Sequence, residues 1–365
     1  MRRKLVAAVM VAGIRVAAVL VAAVLAGAVL AVPQAQADDV ADFYRGKRVN
    51  LIVSYGTGGG YDVYARVLAK YMSKHIPGNP NIIIQNMPGA GSLRGANYIY
   101  NVAARDGTVF GTFARNIALI GQLKTNQNVQ YDPAKFTWLG SSSSLANDAY
   151  ILLVRRDAKV KTIEDARRPG GAPLILGSTA EGASSDAMGV LLREWLGFNL
   201  KVIPGYTDSG VLFLAIERGE VEGRTVGLSS VRANKPDWLK PNGLGRVMLV
   251  FGRSSRFPDY PDVPMARELA KSPEDRNLIE ILEIPYALSR PYAAPPDVPA
   301  DRAKALQDAF MATHKDPAYL AEAQKVGIEV SPISGDDIRQ LIDKIAKTPA
   351  DQLKRIEKLI AEGGG

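Results

Sequence analysis

The chain has 365 residues, no cysteine, two histidines and a formal net charge of +8. The missing cysteines exclude any disulfide and a lipoprotein anchor, and no lysine/arginine block marks a nucleic-acid partner. Length leads to an expectation of two domains.

Residues 1–37 read as a signal peptide. Arg2, Arg3 and Lys4 form a basic start, an Ala/Val/Leu run reaches Val32, and Ala35-Gln36-Ala37 supplies a small-x-small cleavage pattern. Arg15 interrupts the apolar run, which leaves Val16–Val32 near the lower limit for a membrane span. Cleavage after Ala37 removes four positive charges and no acidic ones, so the net charge falls from +8 to +4 over the remaining 328 residues. A weak positive field of this kind favours anionic ligands.

The mature chain alternates strand and helix patterns, the signature of α/β units with mostly parallel sheets. Val49–Ser54 is an apolar run of strand length. Tyr55, Gly56, Thr57, Gly58, Gly59, Gly60, Tyr61 and Asp62 break it, and Tyr64, Val67, Leu68, Tyr71 and Met72 then mark one helical face. Ile76-Pro77-Gly78 is a helix stop. Asn81–Gln85 reads as a second buried strand, followed by the turn Pro88, Gly89, Ala90, Gly91 and Ser92 and a helix from Leu93. Thr108–Phe113 is a third strand and ends at Arg115-Asn116. Three strand ends in a row, two of them leading through glycines into helices, make an anion site: backbone N–H groups approach a ligand closely at the positive ends of helix dipoles.

Ser141–Ser144 looks like a crossing into a second lobe. There Ala149–Val154, Leu174–Leu176, Leu200–Ile203 and Gly223–Val226 are candidate strands and Arg246–Phe251 the return strand. Thr162 is a helix N-cap, and Met188, Leu191, Leu192 and Trp195 form a helical stripe. After Pro264 the pattern is mainly helical, with Ala303–His314, Pro317–Val326 and Asp336–Lys347 expected to pack back on the first lobe. The expected division is 38–140 plus 252–365 for lobe I and 141–251 for lobe II.

These motifs closely resemble the periplasmic receptors of tripartite tricarboxylate transporters, the Bug family. LIVSYGTGGGYDVYAR (Leu51–Arg66) and IIIQNMPGAGSLRGANYIYNVAARDGTVFGT (Ile82–Thr112) match its two glycine-turn segments. YDPAKFTWLGS (Tyr131–Ser141), SSRFPDYPDVPMARELA (Ser254–Ala270) and RPYAAPPDVPADRAKAL (Arg290–Leu306) match further stretches. The resemblance implies a two-lobed, type II periplasmic-binding fold with no cofactor. It further implies a monomeric periplasmic receptor that passes a small organic carboxylate to integral membrane transporter subunits. It places the ligand carboxylate on amides and waters of Tyr55–Asp62 and Pro88–Ser92. The second lobe departs from the pattern. GSTAEGASSDAM (Gly177–Met188) brings Asp186 or Ala187 near the family's usual histidine and Glu181 beside an anion site, and IPGYTDSG (Ile203–Gly210) replaces another common segment.

Each candidate has a plainer reading. Asp62, with Arg66 one turn on, reads as helix-end stabilisation and an ion pair ahead of ligand contact. Arg115 is either a bidentate carboxylate ligand or a surface arginine. Ser178, Thr179, Ser184 and Ser185 either cap a helix or face the ligand, and Tyr206, Thr207, Asp208 and Ser209 present the same choice. Tyr55 and Tyr61 either wall the cleft or pack. An enzyme lacks its parts: His75 and His314 sit near helix C-termini, where a charge complements the dipole. No G-x-S-x-G elbow, phosphate loop or metal-ligand spacing is present. The remaining alternatives are an enzyme using Asp62 or Glu181 as base and a ligand-sensing subunit on a membrane sensor.

Overall fold

The computed structural model describes residues 35–123, 128–144, 146–179, 184–253 and 255–363. The basic and apolar leader therefore lies outside the described residues, and Ala35–Ala37 opens helix α1 (Ala35–Tyr44). Among the described residues no helix is long and apolar enough to cross a membrane.

The first lobe is built on a six-stranded sheet. Its N-terminal part runs β1 (Arg48–Val53), α2 (Gly60–Met72), β2 (Asn81–Asn86), α3 (Leu93–Asn101), β3 (Val109–Thr112), α4 (Ile117–Leu123) and β4 (Thr137–Ser141). The second lobe follows with β5 (Tyr150–Arg155), α5 (Ile163–Arg167), β6 (Leu174–Gly177), α6 (Ser184–Val190), β7 (Leu200–Ile203), α7 (Ser209–Arg218), β8 (Gly223–Gly227), α8 (Leu228–Asn234) and β9 (Gly245–Phe251). The chain returns through α9 (Pro273–Glu283), β10 (Pro291–Ala294), α10 (Ala300–Thr313), α11 (Pro317–Val326), β11 (Ile333–Ser334), α12 (Gly335–Ala346) and α13 (Ala350–Gly363). Strand order is β11-β4-β10-β3-β1-β2 in one sheet and β7-β6-β8-β5-β9 in the other.

Local chemistry accounts for the boundaries. Thr162 accepts from the Asp165 N–H in a full capping box, and Ser334 does the same with Asp337. The stripe Met188, Leu191, Leu192 and Trp195 is buried as its spacing implies, although the backbone widens to a π-turn over Leu191–Trp195.

Four expectations change. The sheets are mixed: β1 pairs β2 and β3 in parallel, whereas β10 runs antiparallel to β3 and β4, and β5 antiparallel to β8 and β9. Parallel neighbours need a crossover connection, and the strands that carry the chain between lobes have none. Strand β2 lies at the sheet edge and alternates exposed with half-buried residues, so it is not a buried strand. The segment after residue 252 does not pass at once to lobe I. Met265 bridges Val250, and Leu278, Ile279, Leu282 and Tyr286 join the core of the second sheet, so the return crossing falls at Leu288–Arg290. His314 is not a charge on a helix dipole, because burial lowers its pKa to about 4 and keeps the ring neutral.

Gly140 shows how tightly the hinge end of lobe I is packed. Its φ is +151°, and a Cβ there meets a Phe310 ring carbon at 2.5 Å and the Ile333 carbonyl at 2.6 Å. Gly140→Ala is expected to destabilise the protein by about 1–3 kcal/mol, read as a lower urea midpoint with unchanged slope.

Candidate functional site

The two glycine turns leave the ends of β1 and β2 and are fixed by side chains behind them. In the first, Gly58 has φ +84°, and its N–H is spent on Asp62 at 2.9 Å. Asp62 is almost fully buried. It also accepts from Arg66 Nε (2.7 Å), Arg66 Nη2 (3.0 Å) and Asn86 Nδ2 (2.9 Å). Burial opposes its charge, yet these donors outweigh burial and hold the carboxyl below its ordinary pKa. Asp62 is thus the knot that ties turn, helix and β2. In the second turn Gly89, Ala90, Gly91 and Ser92 take φ values of 144°, 46°, 60° and 83°. Four successive positive φ angles, two of them at non-glycine residues, are an uncommon backbone. Ser92 holds it in place: its hydroxyl accepts from the Ala114 N–H (3.0 Å) and makes a long contact to the Ser54 carbonyl (3.4 Å).

Between the lobes lie two adjoining spaces. The larger, about 470 Å³, is lined by Ser54, Tyr55, Gly56, Thr57, the Pro88–Ser92 turn, Thr179, Gly205, Thr207 and Asp208. Residues of both glycine turns contribute to its lining. The smaller, about 60 Å³, is lined by Gly59, Gly60, Tyr61, Ser185, Ser209, Arg115, Arg224 and Arg290, among others, and shares Tyr55, Thr179 and Asp208 with the first. Tyr55 and Tyr61 stack at 4.6 Å at this boundary.

Of the sequence candidates, Gly58 and Asp62 line neither space, because they are hydrogen-bonded to each other. Ser178 is buried against Ser185, with hydroxyls 3.1 Å apart, and Tyr206 packs on the core of the second sheet. Both stand back from the cleft. Glu181 lies outside the described residues, as do the side chains of Ser184 and Asp186. Asp208 caps α7 through the Gly210 and Val211 N–H groups at 2.7 and 3.0 Å. A Cβ on Gly56 would stand 3.2 Å from its Oδ2, so the lobes meet there. Arg115 is not a surface residue: it is buried, with its guanidinium over Tyr150 (4.8 Å) and Tyr286 (5.3 Å).

Sequence reasoning passed over Arg224 and Arg290. Arg224 sits inside a short candidate strand between Gly223 and Thr225, and Arg290 precedes a proline in a stretch with no strand pattern. An arginine in a buried strand was itself a usable signal, since such residues are almost never buried without a purpose.

Asp62→Asn tests the knot. Because the folded-state pKa is depressed, its stabilisation is present above the ordinary carboxylate range and is lost as pH falls through the folded value. The stability gap between wild type and Asp62→Asn is expected to be full at pH 7 and to close below about pH 4, measured by urea titrations across that range.

A model of the tripartite tricarboxylate transporter family receptor matches residues 64–364. A UPF0065 protein from the gbd 5′ region of Cupriavidus necator is 28% identical over 336 residues, covering 89% of this chain and 90% of its own. Another, from the TAR-I ttuE-ttuC′ intergenic region of Agrobacterium vitis, is 26% identical over 340 residues, covering 91% and 88%. Among solved structures, the periplasmic binding protein BugD superposes with a TM-score of 0.65 at 20% identity, over 88% of this chain and 99% of its own. The malate-bound protein MatC of Rhodopseudomonas palustris gives 0.61 at 21%, over 86% and 99%. These likenesses show the same two-lobed fold, and with the family match over most of its length the chain belongs to the tripartite tricarboxylate transporter receptor family.

Proposed function

We propose that this chain is an extracytoplasmic solute receptor that binds a small organic anion, a carboxylate or dicarboxylate, between its lobes. It works as a monomer and delivers the ligand to the membrane subunits of a tripartite tricarboxylate-type transporter. The observation that carries this reading is the cleft itself: glycine-turn backbone faces a ligand-sized space where the lobes meet, and buried arginines line a smaller space adjoining it. A helix terminus contributes up to about 2 kcal/mol toward a partly buried charge, so the turns suit a carboxylate without a dedicated side chain. Solved proteins of this fold carry malate and adipate, which supports the ligand class. Catalysis is not part of the reading: Asp62, one of the two bases considered for an enzyme, is already committed to four hydrogen bonds. The lobes, joined near residues 141–144 and 288–290, close on the ligand by hinge motion.

A thermal-shift screen of carboxylic acids tests the proposal. A true ligand at about 100 times its dissociation constant is expected to add about 2.7 kcal/mol of stability. Gly91→Val, which forces a β-branched residue to φ 60°, is expected to abolish that binding while circular dichroism stays unchanged. Normal binding by this variant would remove the turn from the mechanism.

Export to the periplasm with cleavage after Ala37 belongs to the same proposal. Intact mass of the exported protein is expected to correspond to an N-terminus at Asp38, and an exported chain beginning at Met1 would refute cleavage.

A further inference from the structure

Three guanidinium groups enter the smaller space from different parts of the fold. Arg115 follows β3, Arg224 lies within β8, and Arg290 stands at the crossing just before β10. Each is at least 96% buried. Among the described residues none has a carboxylate within 4.0 Å.

Their hydrogen-bond donors are largely unused by the protein. Arg224 donates from Nε to the Thr225 carbonyl at 3.3 Å, and its Nη1 has no partner among the described residues. Arg290 donates from Nη1 to the Ser289 carbonyl (2.7 Å) and makes a long Nη2 contact to Ser229 Oγ (3.4 Å), while its Nε has none. Arg115 has one long contact, Nη1 to Ser289 Oγ at 3.4 Å. Two carboxylates stand nearby and both are taken. Asp148 accepts from the Ala149 and Ser229 N–H groups and the Ser229 hydroxyl, at 2.7–2.9 Å. Asp208 caps α7 and accepts from the Thr207 hydroxyl.

The space is kept open by glycine. Gly227 has φ −66° and ψ 131°, which any residue adopts, so its lack of a side chain concerns room. A Cβ there would stand 3.4 Å from Arg115 Nη2 and 3.6 Å from both Arg290 Nη2 and Asp148 Oδ2, the carboxylate already held by Ser229 and the Ala149 N–H. On the first-lobe side a Cβ on Gly60 would stand 3.4 Å from the same Arg290 Nη2. Two guanidinium groups from different segments therefore reach one small volume bounded by a glycine of each lobe. Ring faces of Tyr61, Tyr64, Tyr150, Tyr286 and Phe213 cover the cations, but a ring returns only part of the solvation that burial removes. Burial pushes the Arg224 pKa down to about 10, so the group remains charged at neutral pH.

We propose that the arginine cavity is a second anion subsite of the receptor. It takes one ionised oxyanion group of the ligand while the glycine-turn compartment takes the other, so the chain selects organic acids with two acidic ends. This rests on the receptor reading above. Tyr55, Thr179 and Asp208, which line both spaces, flank the ligand's middle.

The test compares wild type with Arg224→Met, which keeps an unbranched apolar stem and removes the guanidinium and its charge. Ligand-free Arg224→Met is expected to be as stable as wild type or more so, because an unpaired buried charge is removed. Marked destabilisation would make Arg224 a structural residue and overturn the proposal. Isothermal titration then uses dicarboxylates of graded length and their half-amides. Wild type is expected to prefer a diacid over its half-amide by about 10–100-fold, and the preference is expected to collapse in Arg224→Met. Equal affinity of wild type for the two would overturn the subsite and leave the receptor reading standing; no binding of any organic acid would overturn both. Sulfate provides an arm free of organic acids. Against chloride at equal ionic strength it is expected to raise the wild-type melting temperature saturably and to have a smaller effect on Arg224→Met. Equal shifts in the two proteins would count against the cavity as an anion site.

Discussion

The lobe junction is governed by the burial of positive charge. Moving an ion out of water costs several kcal/mol even after the protein relaxes, while an aromatic face returns about 0.5–2 kcal/mol. Arg115, Arg224 and Arg290 each have such faces, only one or two side-chain hydrogen bonds and no carboxylate of the described residues in contact. The fold holds these groups in place by the packing of both lobes around them. An anion arriving there meets donors already dehydrated and oriented, so little of its binding energy is spent ordering them.

The other half of the cleft uses a different currency, backbone geometry in place of charge. The Gly89–Ser92 turn holds four positive φ angles in succession, a conformation that local preference alone would not maintain. It persists because it is fastened from outside: Ser92 to Ala114 and Ser54, and the Met87 N–H to the Val53 carbonyl at 2.7 Å. The first turn is fastened by Asp62 in the same manner. In both turns a buried polar side chain serves the loop so that other backbone groups can face the cleft. This explains why Asp62 and Gly58, which a motif reading places in the binding segment, line neither space.

That distinction also marks what the sequence could and could not disclose. Strand and helix periodicity, glycine turns and N-caps are local properties, and the strands of the second lobe were legible to within a residue or so for that reason. The pairing sense of β10 is a property of the whole chain. Pro291-Tyr292-Ala293-Ala294 carries little strand preference, yet it is fully buried between β3 and β4. The same holds for the site. The two turns announced themselves by composition, whereas Arg115, Arg224 and Arg290 are separated by more than a hundred residues in sequence at one step and more than sixty at the next. Only the folded topology brings them to one cavity.

The position of Arg290 joins the two halves of the argument. Its backbone lies in the crossing: the N–H is held by Ser141 Oγ at 2.9 Å, and the carbonyl accepts from the Ser142 N–H at 3.0 Å. Its side chain reaches between Gly60 of the first lobe and Gly227 and Ser229 of the second. Charge at the cleft and geometry at the crossing therefore belong to one residue. The contact between the lobes dehydrates this guanidinium with no carboxylate of the described residues to offset the cost. On the proposed subsite reading, an anion in the cavity turns that cost to advantage, because the same dehydration strengthens its attraction to the guanidinium.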